Sequence, residues 1–218
     1  FRTLRLAGAL MALALASTAQ AAVTQAQADR LGKDLTPVGA ETAGNQAGTI
    51  PAWEGGITKP PANYKLGDFH PDPFAADRPV KTIDRSNYKD VAAQLSPGQI
   101  AMFEKYPTFK MLVYPTRRSA AFPDRIYKRT KENALTGKMI GQGAGVENVR
   151  EGFPFPIPQD GYQVIWNHKL KYKGVSARRW ANQAAPTATG AFTPIRIREE
   201  LLGLYWKEGN TIADIDNI

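Results

Sequence analysis

Two arginine pairs are the residues of this chain whose type and setting could do chemistry. Arg117-Arg118-Ser119 follows Tyr114-Pro115-Thr116, and Arg178-Arg179-Trp180 follows Tyr172-Lys173-Gly174. A guanidinium is planar and donor-only, so it grips two oxygens of a phosphate or carboxylate at once and stacks on rings. The same pattern also suits a solvated face on which arginine packs over aromatics. Other chemistries find less to work with. The two histidines, His70 and His168, lie far apart, there is no cysteine, and no His-Glu-x-x-His spacing occurs, so a zinc site has almost nothing to build with. His168, in Trp166-Asn167-His168, reads as a packed helix residue rather than a base. No Gly-x-Ser-x-Gly elbow is present and nothing nominates a Ser-His-Asp triad. Gly141-Gln142-Gly143-Ala144-Gly145 has the composition of a phosphate cradle but lacks the Gly-Lys-Ser/Thr that closes a P-loop. It reads as a turn whose amides could still cup an anion. The balance points to a non-enzymatic binding protein without a metal or cofactor.

The start of the chain says where such a protein works. Arg2 and Arg5 precede an apolar run, Leu6 to Leu15, and Ala19-Gln20-Ala21 supplies a small-x-small cleavage pattern before Ala22. The run is shorter than the ~20 residues a membrane span needs. Residues 1–21 therefore read as a signal peptide and 22–218 as a periplasmic chain. Without cysteine it forms no disulfide in that oxidising compartment and accepts no lipoprotein-type acyl group. The formal charge is +8, and removing Arg2 and Arg5 leaves +6. That balance favours anionic partners such as lipid headgroups, lipid A phosphates or acidic glycans, or simply serves solubility. Export, and the lack of any zinc-finger, RNA-recognition or helix-turn-helix pattern, argue against nucleic acid.

The elements that must position the arginines are short. Residues 23–35 predict a short amphipathic helix ending near Gly32. Residues 36–80, dense in Gly, Asn and Pro yet carrying Trp53, Tyr64 and Phe69, read as a long ordered wrap rather than a flexible linker. Ser86 or Asn87 could cap a helix running through Gln94. Ser96-Pro97-Gly98-Gln99 is a stronger start, with Ser as N-cap, Pro at the first position and Gln at the third, and Pro107 as the stop. Met111–Tyr114 predicts a strand, and Arg125–Leu135 a helix stopped by Gly137. Phe153-Pro154-Phe155-Pro156-Ile157-Pro158 is forced into an extended path by its alternate prolines. Tyr162–Tyr172 predicts a helix, and from Val175 the pattern shifts to strands. Thr211–Ile218 reads as a helix that has just begun, so the chain is expected to be cut short there.

Four spaced blocks resemble a known family. Leu35-Thr36-Pro37-Val38-Gly39-Ala40-Glu41 with Gly44-Asn45 and Gly48-Thr49-Ile50-Pro51-Ala52-Trp53 is similar to the N-terminal signature of the DUF1329 family of exported proteobacterial proteins. Tyr114–Pro123, Gly152–Pro158 with Ile165-Trp166-Asn167-His168, and Arg178-Arg179-Trp180-Ala181-Asn182-Gln183 resemble its later blocks. The resemblance implies an outer-membrane lipoprotein-sorting-like protein, related in fold to the periplasmic lipoprotein carrier and receptor. The implied fold class is α+β: a curved antiparallel sheet, an incomplete barrel, with covering helices, here preceded by the irregular wrap. Much of the sheet would lie beyond Ile218, with 22–218 the N-terminal part of one such domain. An apolar cavity would take a lipid or other hydrophobic ligand, with Trp53, Phe153, Phe155, Trp166 and Trp180 as candidate lining residues. Arg117, Arg118, Arg178 and Arg179 would hold its headgroup at the rim. No catalytic residue carries over. The alternative is a periplasmic accessory or scaffold subunit of an envelope export system, binding outer-membrane or export-machine proteins, with peripheral membrane contact open to both.

Overall fold

The computed structural model describes residues 23–210. The signal-peptide reading of 1–21 and the nascent helix at Thr211–Ile218 lie outside the described residues. In chain order the elements are helix α1 (Gln25–Ala28), strand β1 (Lys81–Ile83), helix α2 (Pro97–Lys105), strand β2 (Met111–Val113), helix α3 (Asp124–Thr136), strands β3 (Lys138–Ile140) and β4 (Gly145–Glu147), helix α4 (Gly161–Leu170), and strands β5 (Ser176–Ala184) and β6 (Pro194–Leu202). The class is α+β. The strands pair antiparallel as three separate two-stranded sheets, β1–β2, β3–β4 and β5–β6. No curved or barrel-like sheet occurs among the described residues, which corrects that part of the expectation for this span. No described helix is long and apolar enough to cross a membrane.

The chain divides into two compact units, Asp29–Lys131 and the segments on either side of it. In the first, the core is Ile83, Tyr88 and Phe103, with Val91, Leu95, Ile100, Phe109, Met111 and Val113 packed against it. Tyr88 stacks on Phe103 at 5.4 Å between centroids, and Phe109 tilts against Phe103 at 4.8 Å. The start of α2 follows from its capping box. The Ser96 hydroxyl accepts from the Gln99 amide, and the Gln99 side chain accepts from the Ser96 amide. Pro97 takes the first helical position, where its missing N–H costs nothing. Tyr88–Gln94 is a kinked 3₁₀ turn rather than a regular helix, and Asn87 does not cap it. The Asn87 side chain is spent on Asp84 N and Thr82 O instead. The helix expected over 23–35 shrinks to α1. Beyond Ala28 the chain turns instead, and Gly32, at φ +81°, sits in the turn between the buried Leu31 and Leu35.

In the second unit, α3 ends at Gly137, whose amide bonds to Asn133 O at 2.7 Å. The glycine-rich run is a turn joining β3 to β4, as its composition suggested. The proline run carries neither helix nor strand, and Pro154 and Pro156 are fully buried. α4 is capped by Asp160, whose side chain accepts from Gln163 N at 2.9 Å.

Tyr205 closes this unit with a testable pH signature. The residue is half-buried, with its hydroxyl turned inward to donate to Gly152 O at 2.8 Å. That inward burial pushes the phenol well above its ordinary value near 10, with the Asn133 hydrogen bond working against the shift and the Glu151 carboxylate adding to it. A raised folded value means the contribution is complete below pH 10 and is lost as pH rises through the folded value. Thermal melts between pH 8 and 12 are therefore expected to fall off more steeply in the parent than in Tyr205→Phe. At neutral pH that variant loses about 1–2 kcal/mol, the hydroxyl's hydrogen bonds with Gly152 O and Asn133. Equal slopes would remove Tyr205 as the alkaline sensor.

Candidate functional site

An irregular backbone leaves carbonyl oxygens without ladder partners, and each must find a donor. The Gly-, Asn- and Pro-rich wrap has this problem over Glu41–Pro51, and Arg118 answers it. Its Nη1 donates to Thr42 O (3.1 Å), Ala43 O (3.3 Å) and Pro51 O (3.3 Å), and its Nη2 to Glu41 O (2.5 Å). The loop between these acceptors is closed by Asn45, which exchanges bonds with Ile50 and reaches Thr49 Oγ1. Beyond it, Trp53 Nε1 donates to Ala120 O (3.0 Å) and Ile57 N to Ser119 O (2.9 Å). At Gly56, φ is +71° and a Cβ would run into the Ser119 and Ala120 carbonyls. Only glycine fits so close an approach in that conformation. The first two sequence blocks are thus one structure, sewn together by Arg118, Trp53 and the 119–120 backbone.

Where they meet, a cleft of about 260 Å³ opens, with Pro37, Val38, Trp53, Phe122 and Tyr127 among its lining and both arginines at its border. Phe122 N donates to the Tyr127 hydroxyl (2.8 Å), which fixes that wall. A second cleft of about 380 Å³, bordered by Ile57 and Phe74, shares Arg117, Arg118 and Ser119. Arg117 makes a fork with Asp77, Nη2 to Oδ1 at 2.6 Å and Nε to Oδ2 at 3.1 Å, while its guanidinium lies 5.0 Å over the Phe74 ring.

The other arginine pair belongs to the other unit. Side chains alternate along a strand, so neighbours in sequence part company. Arg178 shares one face of the β5–β6 ribbon with Trp180, Arg196, Arg198 and Glu200. Arg179 sits on the opposite face with Ala181, Ile197 and Glu199. Both arginines are ion-paired across the ribbon, Arg178 to Glu200 at 2.9 Å and Arg179 to Glu199. Hydrogen bonds from Arg198 and then Arg178 hold Glu200 below the usual carboxylate range. Trp180 is 58% exposed, so it lines a surface and no cavity.

Phe155, by contrast, is buried, and its amide and carbonyl exchange hydrogen bonds with the Asn167 side chain at 2.9 and 2.6 Å. Trp166 donates from Nε1 to Gly143 O (2.9 Å) with Lys169 over its ring, and Phe153 is half-buried, its carbonyl accepting from Asn133 Nδ2 (3.2 Å). These three are packing residues of the second unit. His168 stands exposed in the last turn of α4 rather than packed. Among the described residues no group of acidic or imidazole side chains is arranged to hold a metal, and no buried side-chain donor or acceptor lacks a partner. Sequence reasoning missed Asp77, which fixes Arg117, and Asn133, which holds the proline run. The second had a signal: Ile126, Thr130 and Asn133 form a buried stripe at helical spacing on α3.

Together these observations define an α+β protein whose candidate site is a small apolar cleft beside an arginine-to-carbonyl clasp. The family model described as "Protein of unknown function (DUF1329)" matches residues 82–218, and the chain belongs to that family. An uncharacterised protein of Pseudomonas aeruginosa is 44% identical over 186 residues, which cover 85% of this chain and 41% of that protein. The chain thus spans about two fifths of the length of the relative it matches. No solved structure matches it. The matched family region includes both arginine pairs and leaves out the wrap that Arg118 holds.

Proposed function

We propose that this protein is a non-enzymatic periplasmic carrier of a lipid or other hydrophobic ligand, of the outer-membrane lipoprotein-sorting kind. The observation that carries the reading is the apolar cleft beneath Trp53, with cations at its border. At 260 Å³ it falls just under the roughly 300–1,000 Å³ of pockets that take drug-sized ligands. It therefore suits one acyl chain or a ligand of similar bulk, each buried methylene contributing ~0.8 kcal/mol. Arg117 is the headgroup residue of choice, because its guanidinium can exchange Asp77 for a ligand anion, whereas Arg118 is committed to backbone. In this reading the β5–β6 ribbon is one part of the curved sheet of the sorting fold. Periplasmic placement rests on the signal-peptide pattern of residues 1–21.

The test is mass spectrometry of organic extracts from purified protein. Near-stoichiometric lipid is expected, reduced at least tenfold in Val38→Trp, which fills the cleft. A clean apoprotein from the parent would overturn the carrier. A second reading, an accessory or scaffold subunit of an export system, draws on the exposure of both faces of β5–β6. It is favoured if the clean apoprotein retains a stable protein partner.

A further inference from the structure

One loop presents its apolar side chains to water on a rigid stem. Pro60, Pro61, Pro71 and Pro73 restrict the chain on both sides of residues 64–70. Tyr64 N bonds to Pro61 O (2.9 Å), and the Tyr64 and His70 rings meet edge-on at 5.5 Å, closing the base of the loop. At its head Asp68 N bonds to Lys65 O (3.0 Å), with Gly67 at φ +98° in the third position, the geometry of a type II turn. The residues held out by this frame are Leu66, 97% exposed, and Phe69, 82% exposed. Apolar side chains usually reach such exposure in loose termini or singly; here two large ones stand within four residues of a pinned turn.

We infer that the 64–70 loop is a membrane-surface wedge: Leu66 and Phe69 enter the interfacial layer of a phospholipid surface while Lys59 and Lys65 meet its anionic headgroups. The shape favours lipid over a protein pocket. Protein hot spots sit within a water-excluding apolar patch. The neighbours here are Ala62, Asn63, Gly67 and Asp68, all exposed, which form no such patch. A bilayer interface accepts a convex tip without shape complementarity and adds attraction to basic residues. The charge agrees. Asp29–Lys131 holds sixteen Lys and Arg against eleven Asp and Glu, and Asp68 is the one acid between Lys59 and His70. This inference is independent of the cleft and stands or falls without it.

The experiment is co-sedimentation of the full chain with vesicles of phosphatidylglycerol and phosphatidylethanolamine, compared among variants. The apolar run Leu6–Leu15 is common to all of them, so differences between variants carry the result. Leu66→Ser with Phe69→Ser is expected to lower partitioning at least tenfold without moving the melting temperature, while Val80→Ser, an exposed control, leaves both unchanged. In Phe69→Trp, difference spectra against the same protein with Phe69→Ser should show a blue-shifted emission on adding vesicles. Unchanged partitioning of the double variant together with no blue shift would overturn the wedge. So would binding that survives in the double variant but vanishes at high salt, since charge alone would then explain it. Loss of a protein partner by the double variant, with vesicle binding intact, would assign the loop to a protein pocket and overturn it too.

Discussion

Arg118→Ala is expected to lower the stability of the Asp29–Lys131 unit by about 3 kcal/mol, a fall of about 6–12 °C in melting temperature for a chain of this size. Hydrogen bonds to a charged donor are worth about 1.5–3 kcal/mol each where water cannot replace them. Arg118 makes four to carbonyls, but those of Ala43, Pro51 and Glu41 are at exposed positions and can turn to water, and Thr42 O keeps the Trp53 amide, so only about a quarter to a half of the gross sum is lost. Arg118→Lys keeps the charge but not the fork, and should recover less than half of the loss. Gly56→Ala attacks the same seam from the other side, so the two changes should be less than additive. Limited proteolysis should cut Glu41–Ile57 faster in both variants. If Arg118 is instead a ligand contact, melting temperature holds and ligand content per folded molecule falls. That pattern would return it to the headgroup site.

The carbonyl clasp of Arg118 is not legible in the sequence. Adjacent basic residues beside a tyrosine look alike whether they face an anion or a carbonyl cluster, and the acceptors here lie 67 to 77 residues away in the chain. What was legible was the need: a long stretch with many glycines and prolines but aromatic anchors must be ordered by donors from elsewhere, and arginine is the richest donor available. Arg178 and Arg179 teach a different point. Strand assignment from Val175 already implied that neighbours face opposite ways, so a shared headgroup role for both was in conflict with the predicted element.

Local signals were read well where they were self-contained. The capping box at Ser96, the strand at Met111, the stop at Gly137 and the helix after Asp160 each depend on residues within one turn of each other. β1, β3 and β4 went unread because three residues are too few to show a period of two. Their pairings are set by tertiary neighbours instead.

Asn133→Ala is expected to cost about 3–5 kcal/mol, the largest single effect in the second unit. Asn133 is 2% exposed. Its Nδ2 donates to Arg150 O (2.7 Å) and Phe153 O (3.2 Å), and its Oδ1 accepts from Arg150 N (2.9 Å). It therefore does for the entry to the proline run what a neighbouring strand would do for a sheet. Prolines cannot donate, so this stretch has few other ways to satisfy its backbone. Truncation takes the Asn133 partner from the Arg150 N–H and the Phe153 C=O, with Arg150 O keeping the Gly152 amide, and leaves a cavity besides. Asn133→Leu separates the two terms. It fills the space but satisfies no backbone group, so it should not rescue, whereas a packing role predicts that it would. Asn133→Asp still accepts from Arg150 N but has nothing to donate to the two carbonyls. Burial raises the folded pKa of a carboxyl placed there. Its stability is then highest below the unfolded value, near 4, and is lost as pH rises through the folded value. Its deficit relative to the parent should thus shrink on acidification, as the protonated acid regains one donor. Hydrogen exchange at the Arg150 amide reads the site directly. Exchange that speeds up in Asn133→Ala and Asn133→Leu but stays slow in Asn133→Asp, which keeps the acceptor, fits the backbone role, while Asn133→Leu with parental protection would reduce Asn133 to a space-filler.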